Sequence, residues 1–221
     1  MDKMAVLSLN NICFSYKDTP VLNDVSYEFE RGKMYCIIGK SGAGKTTLLS
    51  ILSGLAKPKS GSIMYDGRDI KKIDKYKFRS KYIGVIFQSF NLITKFTALE
   101  NVVLSMNIAG SKQSKKRDTA LQLLKSVGLD ESEANRRVLK LSGGQQQRVA
   151  IARALSYDAE IILADEPTGN LDSETQNEIM AIFRSLADSG KCVILVSHSP
   201  EVAALCDKKY ELIKYSKKAK K

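Results

Sequence analysis

Residues 39–46 read Gly39-Lys40-Ser41-Gly42-Ala43-Gly44-Lys45-Thr46, and this stretch decides the fold. It fits the pattern G-x-x-x-x-G-K-[ST], in which glycines let backbone N–H groups approach a phosphate without obstruction by Cβ atoms. The apolar run 34–38 precedes it as a predicted buried strand, and residues 45–55 follow it as a predicted helix. Because strand, loop and helix stand in the order that phosphate binding at a helix N-terminus requires, we expect a phosphate loop here.

The rest of the chain alternates predicted strands and helices around this loop. Further strands are predicted over 7–16, 21–30, 62–65, 83–87, 161–164 and 193–196, with turns at Asp18-Thr19-Pro20 and Asp66-Gly67. Residues 97–157 contain no convincing strand and are predicted to be helical, and a further helix is predicted over 173–188. This order predicts an α/β fold: a mainly parallel sheet core with an N-terminal antiparallel β subdomain and an inserted α-helical subdomain.

Length and hydropathy predict one domain and no membrane span. The chain has 221 residues, of which 43% are hydrophobic, enough to bury a core. We expect an α/β core that carries the phosphate loop over 1–88 and 158–215, a helical subdomain over 89–157 and a basic tail over 216–221. No apolar run approaches the roughly 20 residues that cross a bilayer, and the N-terminus lacks the regions of a signal peptide, so we expect a cytoplasmic chain.

The chain is strongly basic, with 35 Lys and Arg against 24 Asp and Glu and a net charge of +11. Basic clusters lie at 71–81, 112–117 and 217–221. Such charge favours polyanions, namely nucleotide, nucleic acid or anionic lipid, whereas the alternative is solvated helix faces and a solvated tail. The four cysteines lack a C-x-x-C pair and are interpreted as reduced thiols: Cys13, Cys36, Cys192 and Cys206.

Two adjacent acids end the predicted strand 161–164. In α/β sheets ligands bind at the carboxyl ends of the strands, where Asp165 and Glu166 are therefore expected. Mg²⁺ prefers oxygen ligands and keeps several waters, so Asp165 is predicted to hold the hydrated metal and Glu166 to orient an attacking water. In the phosphate loop Lys45 is predicted to reach the β and γ phosphates, and Thr46 to offer its hydroxyl to Mg²⁺. The alternative for the acid pair is a helix cap before Pro167.

Residues 141–148 read Leu-Ser-Gly-Gly-Gln-Gln-Gln-Arg and form a second distinctive stretch. A serine and two glycines at the start of a predicted helix make a second anion site, which the phosphate loop of the same chain cannot use. Together with the phosphate loop and the acid pair, which is similar to a Walker B motif, this stretch resembles the ATPase subunits of ABC transporters. We call 141–148 the signature segment.

The resemblance covers the chain from Tyr16 to His198 and implies roles for residues at matching positions. It implies ATP and Mg²⁺ as cofactors, with catalysis by Lys45, Gln88, Glu166 and His198 and metal binding by Thr46, Gln88 and Asp165. Nucleotide binding would use Tyr16 on the adenine and Gly39, Lys40, Ser41, Gly42, Ala43, Gly44, Lys45, Thr46 and Thr47 on the phosphates. In the family two subunits pack head to tail, so a homodimer is expected, with these residues acting in trans: Ser142, Gly143, Gly144, Gln145 and Asp172.

Three segments resemble the lipoprotein-release, macrolide-export and bacitracin-type peptide-resistance group: 87–92, 97–102 and 165–172. That resemblance implies a separate transmembrane permease and export or extraction of peptide, antibiotic or lipoprotein. The segment 135–140 lacks the proline common in this group, which weakens the subgroup assignment. The alternative function is a non-transport ABC ATPase that acts on nucleic acid or the ribosome, which the net charge favours. Such proteins usually carry a second cassette or a long coiled-coil insertion, and this sequence has neither, so no nucleic-acid partner is expected.

Overall fold

The computed structural model describes residues 5–112 and 114–215. Its strands are β1 Leu7–Tyr16, β2 Thr19–Phe29, β3 Met34–Ile38, β4 Ser60–Tyr65, β5 Arg68–Asp69, β6 Ile83–Ile86, β7 Ile161–Asp165, β8 Cys192–Val196 and β9 Lys208–Glu211. Its α-helices are α1 Lys45–Leu52, α2 Lys75–Lys77, α3 Ala98–Ile108, α4 Lys116–Ser126, α5 Glu131–Ala134, α6 Gly143–Leu155, α7 Ser173–Asp188 and α8 Pro200–Ala204. Single 3₁₀ turns occupy 70–72 and 138–140, and a π turn occupies 78–82. The basic tail 216–221, with its cluster 217–221, lies outside the described residues.

The strands form two sheets. The first is antiparallel, in the order β2-β1-β4-β5, and the second is parallel, in the order β6-β7-β8-β3-β9. In the parallel sheet Ile37 of β3 and Asp165 of β7 both stand opposite Val196 of β8. The ends of these three strands therefore meet at one edge, and the predicted α/β fold with an antiparallel N-terminal part is confirmed.

The central strands of the parallel sheet are buried on both faces, as their unbroken apolar runs predict. Alternate residues enter two different hydrophobic clusters. Met34, Ile162 and Leu195 belong to the cluster that includes the helical part of the chain, whereas Ile37 and Leu163 belong to the cluster that includes α1 and the antiparallel sheet. Because both faces are packed, the carboxyl edge of the sheet is a rigid support for side chains.

The helices α3–α6 lie between β6 and β7, where the sequence predicts a helical insertion. Several boundaries differ from the predicted ones. The larger differences are that β2 begins at Thr19, within the predicted turn, that β4 begins at Ser60 and that α1 ends at Leu52, while β6 ends one residue early at Ile86. Lys17 adopts a left-handed φ of 51°, so the turn between β1 and β2 begins at Lys17 rather than at Asp18. The edge strand β9 was not predicted, because its residues Lys-Lys-Tyr-Glu are mostly polar and show no apolar alternation.

Two further predictions concern the chain as a whole. All four cysteines are free thiols, in agreement with the sequence interpretation. Within the described residues, none of the helices combines the length and the apolar character that a membrane span needs.

Candidate functional site

A cavity of about 940 Å³ opens at the carboxyl edge of the parallel sheet. It collects most of the predicted site residues, although they come from four separate parts of the chain. Its lining consists of Val21, Ile38, Gly39, Lys40, Ser41, Gly42, Gly44, Lys45, Thr46, Thr47, Gln88, Asp165, Glu166, His198 and Glu211. Sequence reasoning missed Val21, Ile38 and Glu211, which carry no motif and reach the cavity only through the packing of β2, β3 and β9.

The phosphate loop joins the end of β3 to the start of α1. Gly44 caps this helix in the left-handed region, with a φ of 97°, and a Cβ atom there would lie 2.7 Å from Val21 Cγ1. Both the dihedral angle and the close approach require glycine at this position. No side chain caps α1 and its first turn contains no acid, so its N–H groups and partial positive charge are left for an anion. Lys45 Nζ donates to the carbonyl oxygen of Gly39 at 2.8 Å, which folds the cation back over the loop.

Asp165 ends β7 and is buried, with 6% of its surface exposed. Burial raises the pKa of its carboxyl group, while a hydrogen bond from Thr46 and the nearby charge of Lys45 act in the opposite direction. The carboxylate of Asp165, the hydroxyl of Thr46 and the amide of Gln88 line the same cavity. One carboxylate among neutral oxygen donors, beside a loop for phosphates, fits a hydrated Mg²⁺ that is bound together with nucleotide.

We expect Asp165→Asn to raise the melting temperature of the nucleotide-free protein by a few degrees while it abolishes Mg²⁺-dependent hydrolysis. Since the pKa of Asp165 is higher in the folded chain than in the unfolded one, its stabilising contribution is present below the unfolded pKa and is lost as the pH rises through the folded pKa. At neutral pH the buried charge therefore costs stability, and asparagine removes that cost. Thermal melts at decreasing pH should show the difference shrinking toward the acid range. The exposed Asp18→Asn serves as the control, and a lower melting temperature of Asp165→Asn at pH 7 would contradict the argument.

Glu166 follows Asp165 and is held in an unusual conformation. Its φ is 45°, in the left-handed region, and its N–H donates to the carbonyl of Val196 at 2.9 Å. Such a conformation costs energy for a non-glycine residue and persists where surrounding contacts enforce it. The side chain is 12% exposed and turns toward the loop after β8.

The carboxylate of Glu166 accepts hydrogen bonds from two residues of that loop. Oε1 lies 2.8 Å from Nδ1 of His198, and Oε2 accepts from the Ser197 hydroxyl at 3.1 Å and from the His198 N–H at 3.4 Å. The imidazole of His198 is 71% exposed toward the cavity mouth. The loop therefore fixes the direction of the carboxylate. Sequence reasoning missed Ser197, because a serine next to a histidine carries no signal without this contact.

Gln88 lines the cavity, and Tyr16 lies beside Thr47, which also lines it. Gln88 follows β6 and lines the cavity from the side of the helical part. Tyr16 is 58% exposed, and its hydroxyl lies 3.4 Å from the hydroxyl of Thr47 in the first turn of α1. The ring packs edge-to-face on Phe14, with 4.9 Å between the ring centroids. Tyr16 thus presents an aromatic surface beside the phosphate loop, although it is not part of the cavity lining.

The signature segment lies apart from this cavity, and none of Ser142, Gly143, Gly144, Gln145 and Asp172 lines it. The Ser142 hydroxyl accepts from the Gln145 N–H at 3.2 Å, and Gln145 accepts from the Ser142 N–H at 2.8 Å, which caps α6 reciprocally. Asp172 caps α7 through the Thr175 N–H at 2.9 Å. Gly144 lies so close to Thr175 that a Cβ atom would be 2.6 Å from the Thr175 methyl carbon. The structure therefore joins the two predicted trans elements to each other on a separate surface.

Comparisons with known proteins agree with this geometry. The family model described as ABC transporter matches residues 22–169. An uncharacterized ABC transporter ATP-binding protein of Bacillus subtilis, YclH, is 46% identical over 207 residues and covers 92% of each chain. The macrolide export ATP-binding/permease protein MacB of Salmonella typhimurium is 42% identical over 94% of this chain, which spans 33% of that longer protein. A dimeric structure of a post-hydrolysis state of the ATP-binding cassette MJ0796, bound to ADP and Pi, superposes with a TM-score of 0.86, at 38% identity and with 95% and 97% of the two chains covered.

Proposed function

The chain belongs to the ABC transporter family as an ATP-binding, ATP-hydrolysing subunit, and we propose that two copies pack head to tail and drive a separate transmembrane permease. The observation that carries this proposal is the separation of the two halves of the site. The cavity holds the phosphate loop and the acid pair, whereas the second anion-binding surface, with the exposed Ser142 and Gly143, lies outside it. Since one chain does not bring the halves together, a second copy would supply the missing half.

ATP is proposed to bind with its phosphates on residues 39–47 and its adenine against Tyr16. Mg²⁺ would be held by Thr46, Gln88 and Asp165, and it would neutralise charge on the phosphates while hydrolysis proceeds. Lys45, which donates to the Gly39 carbonyl, would turn to the β and γ phosphates as a mobile point charge. Thr47 would add a donor from the same turn of α1.

Glu166 is proposed to orient and polarise the water that attacks the γ-phosphate. Phosphoryl transfer asks the protein mainly for positioning and electrostatic stabilisation, and the hydrogen bonds from Ser197 and His198 supply the positioning. His198 would contact the γ-phosphate from the open side of the cavity. The reaction yields ADP and phosphate, and both remain in the post-hydrolysis state of the similar MJ0796 cassette.

The second copy is proposed to close the site with Ser142, Gly143, Gly144, Gln145 and Asp172. Backbone N–H groups at the start of α6 would bind the γ-phosphate of the partner's ATP, so that nucleotide joins the two chains. MJ0796 is itself described as dimeric. Hydrolysis would remove this link and let the copies separate, which is a mechanical step available to a permease.

The permease is proposed to dock on a smaller cavity that we call the α3 groove. It has a volume of about 350 Å³ and is lined by Tyr76, Arg79, Ser80, Ser105, Ile108, Ala109 and Tyr157. Tyr76 is 65% exposed and Ile108 is 74% exposed, which is unusual for such apolar side chains. Lys75 and Arg79 lie over the Tyr76 ring, with 5.0 and 5.3 Å to its centroid. Apolar side chains with a basic rim suit an amphipathic segment that carries acidic residues.

We expect Ile108→Ser to reduce recovery of the permease at least about fivefold, because it removes the most exposed apolar contact of the groove. The measurement is a pull-down of tagged Glu166→Gln chain from its native cells in mild detergent with ATP and Mg²⁺, followed by mass spectrometry. Leu205→Ser, which removes another half-exposed apolar side chain away from the groove, is the matched control. ATP hydrolysis by the isolated chain, measured with Glu166 intact, should be unchanged by either substitution.

The same pull-down separates the two functional classes. A multi-span membrane protein that is lost with Ile108→Ser would support the permease and its docking place. Ribosomal proteins or nucleic acid without a membrane partner would overturn transport in favour of a non-transport ATPase.

We further propose export or extraction of peptide, antibiotic or lipoprotein, on the similarity to MacB, and a position on the inner face of the membrane. The division into 1–88 with 158–215, and 89–157, is proposed as the boundary between core and helical subdomain.

A further inference from the structure

Arg153, near the end of α6, forms two hydrogen bonds with the loop that follows Gln88. Its guanidinium donates from Nη2 to the carbonyl oxygen of Phe90 at 2.7 Å and from Nη1 to that of Asn91 at 2.5 Å. Two parallel bonds from one planar fork fix both the position and the orientation of the acceptor peptide. The signature segment lies at the start of the same helix. The helix α6 therefore has Ser142 at its first end and, near its last turn, is hydrogen-bonded to the loop that follows Gln88.

The charged guanidinium of Arg153 is satisfied by these two carbonyl oxygens and not by a carboxylate. Burial lowers the pKa of Arg153, which identifies a partly desolvated guanidinium. Among the ion pairs in residues 5–112 and 114–215, none includes Arg153, whereas Arg148 on the same helix pairs with Glu178. A buried charge without a carboxylate is costly unless other groups satisfy it, and here the two carbonyl oxygens do so.

The loop that Arg153 holds is strained. Phe90 and Asn91 have φ values of 60° and 49°, so two consecutive non-glycine residues lie in the left-handed region. Each such residue costs energy and persists only where other contacts over-determine it. The Asn91 N–H also donates to the Ser89 carbonyl at 2.6 Å, but this bond is local to the loop. The bonds from Arg153 are those that tie the strained loop to α6.

We propose that Arg153 is a positioning residue that couples the place of Gln88 in the nucleotide cavity to the place of the signature segment. When α6 moves toward the partner's nucleotide, the loop moves with it, and Gln88 enters or leaves its position at the metal and water. The carbonyl of Arg153 also accepts from the Ser105 hydroxyl at 3.4 Å, which connects this residue to the wall of the α3 groove. The inference rests on the proposed role of Gln88.

The test is Arg153→Lys, which keeps the positive charge but loses the fork. We expect kcat to fall about tenfold, since sub-ångström misplacement of a positioning group is enough for such a loss. KM for ATP should stay within about twofold, since the phosphate loop is untouched, and the apparent Mg²⁺ affinity should weaken. A general structural defect would instead lower nucleotide affinity and melting temperature together with kcat. Arg184→Lys, which alters an arginine of α7 that bonds to Asp188 and Asp207, is the control and should keep its kcat.

Relief of the strain supplies an independent readout. Glycine adopts a φ near 49° without strain, so Asn91→Gly in the Arg153→Lys background should recover part of kcat. Wild-type kcat and Mg²⁺ dependence in Arg153→Lys would overturn the proposal, and so would a loss that Asn91→Gly leaves unchanged. If Arg153→Lys does not fold, the exposed Asn91→Pro takes its place, because proline cannot adopt the observed φ. Full activity of that variant would also overturn the proposal.

A separate variant distinguishes failure here from failure of the proposed function. Gln88→Ala should lower kcat whether or not Arg153 positions the loop. If Gln88→Ala keeps its kcat, the role of Gln88 in the proposed function fails. If Gln88→Ala is impaired while Arg153→Lys is not, the proposed function stands and the coupling through Arg153 is wrong.

Discussion

Purified Glu166→Gln protein should lose at least about 99% of its ATPase activity, equivalent to roughly 3 kcal/mol of transition-state stabilisation. The amide is nearly the size of the carboxylate, so its oxygen can still accept from the Ser197 hydroxyl while its nitrogen faces His198 Nδ1, but the charge that polarises the water is gone. The phosphate loop, Thr46 and Asp165 are unaltered. ATP should therefore bind with wild-type affinity and remain uncleaved, and the ATP-bound dimer should accumulate.

Two measurements check this expectation. Phosphate release under steady-state conditions gives the loss of activity, and size-exclusion chromatography with ATP and Mg²⁺ gives the dimer. Glu201→Gln is a matched control, because Glu201 is an exposed glutamate on the short helix after the same loop. Unchanged steady-state hydrolysis in Glu166→Gln would contradict the assignment of Glu166 as the residue that polarises the attacking water. Lost hydrolysis without a dimer would leave that assignment intact and count against ATP as the link between copies.

A mixture of two inactive variants should regain activity if the signature segment acts in trans. Lys45→Ala removes the cation from the phosphate loop, and Gly143→Asp places a carboxylate at the second anion site. The nearest atom to a Cβ at Gly143 is Leu171 Cδ2 at 3.8 Å, so a Cβ at this position meets no clash in the single chain. Each variant alone should hydrolyse ATP at least about a hundredfold more slowly than the wild type, because each homodimer lacks one half of both sites.

In an equal mixture, half of the dimers contain one copy of each variant. Such a dimer has one site with both defects and one site with none. If a single intact site hydrolyses ATP independently, the mixture should recover roughly a quarter of the wild-type rate. Gly143→Ala is the matched control and should retain most of its activity, since it adds the Cβ without the charge. No recovery in the mixture, with both variants folded and Gly143→Asp still binding ATP, would contradict closure of the site in trans.

Much of the site was predictable because its signals are local. The glycine loop, the strand before it and the acid pair after β7 are contiguous runs, and their chemistry follows from residue types a few positions apart. His198 is less local: its identity as a lone histidine says little, and its place after a buried strand made it a candidate. The contact of its Nδ1 with Glu166 joins residues 32 positions apart and was not predicted.

By itself, the sequence determined the α/β order of elements, the phosphate loop, the acid pair and the membership in a family, because periodicity and short motifs encode them within neighbouring residues. Only the tertiary structure decided which of these groups share a cavity. It placed the signature segment beside Asp172 and outside the cavity that holds the phosphate loop. It brought Ser197 and His198 into hydrogen-bonding distance of Glu166. It also brought Arg153 into hydrogen-bonding distance of the carbonyls of Phe90 and Asn91. Arginine and serine carry no motif at these positions, since their partners lie 31 to 63 residues away and meet them only when the whole chain packs.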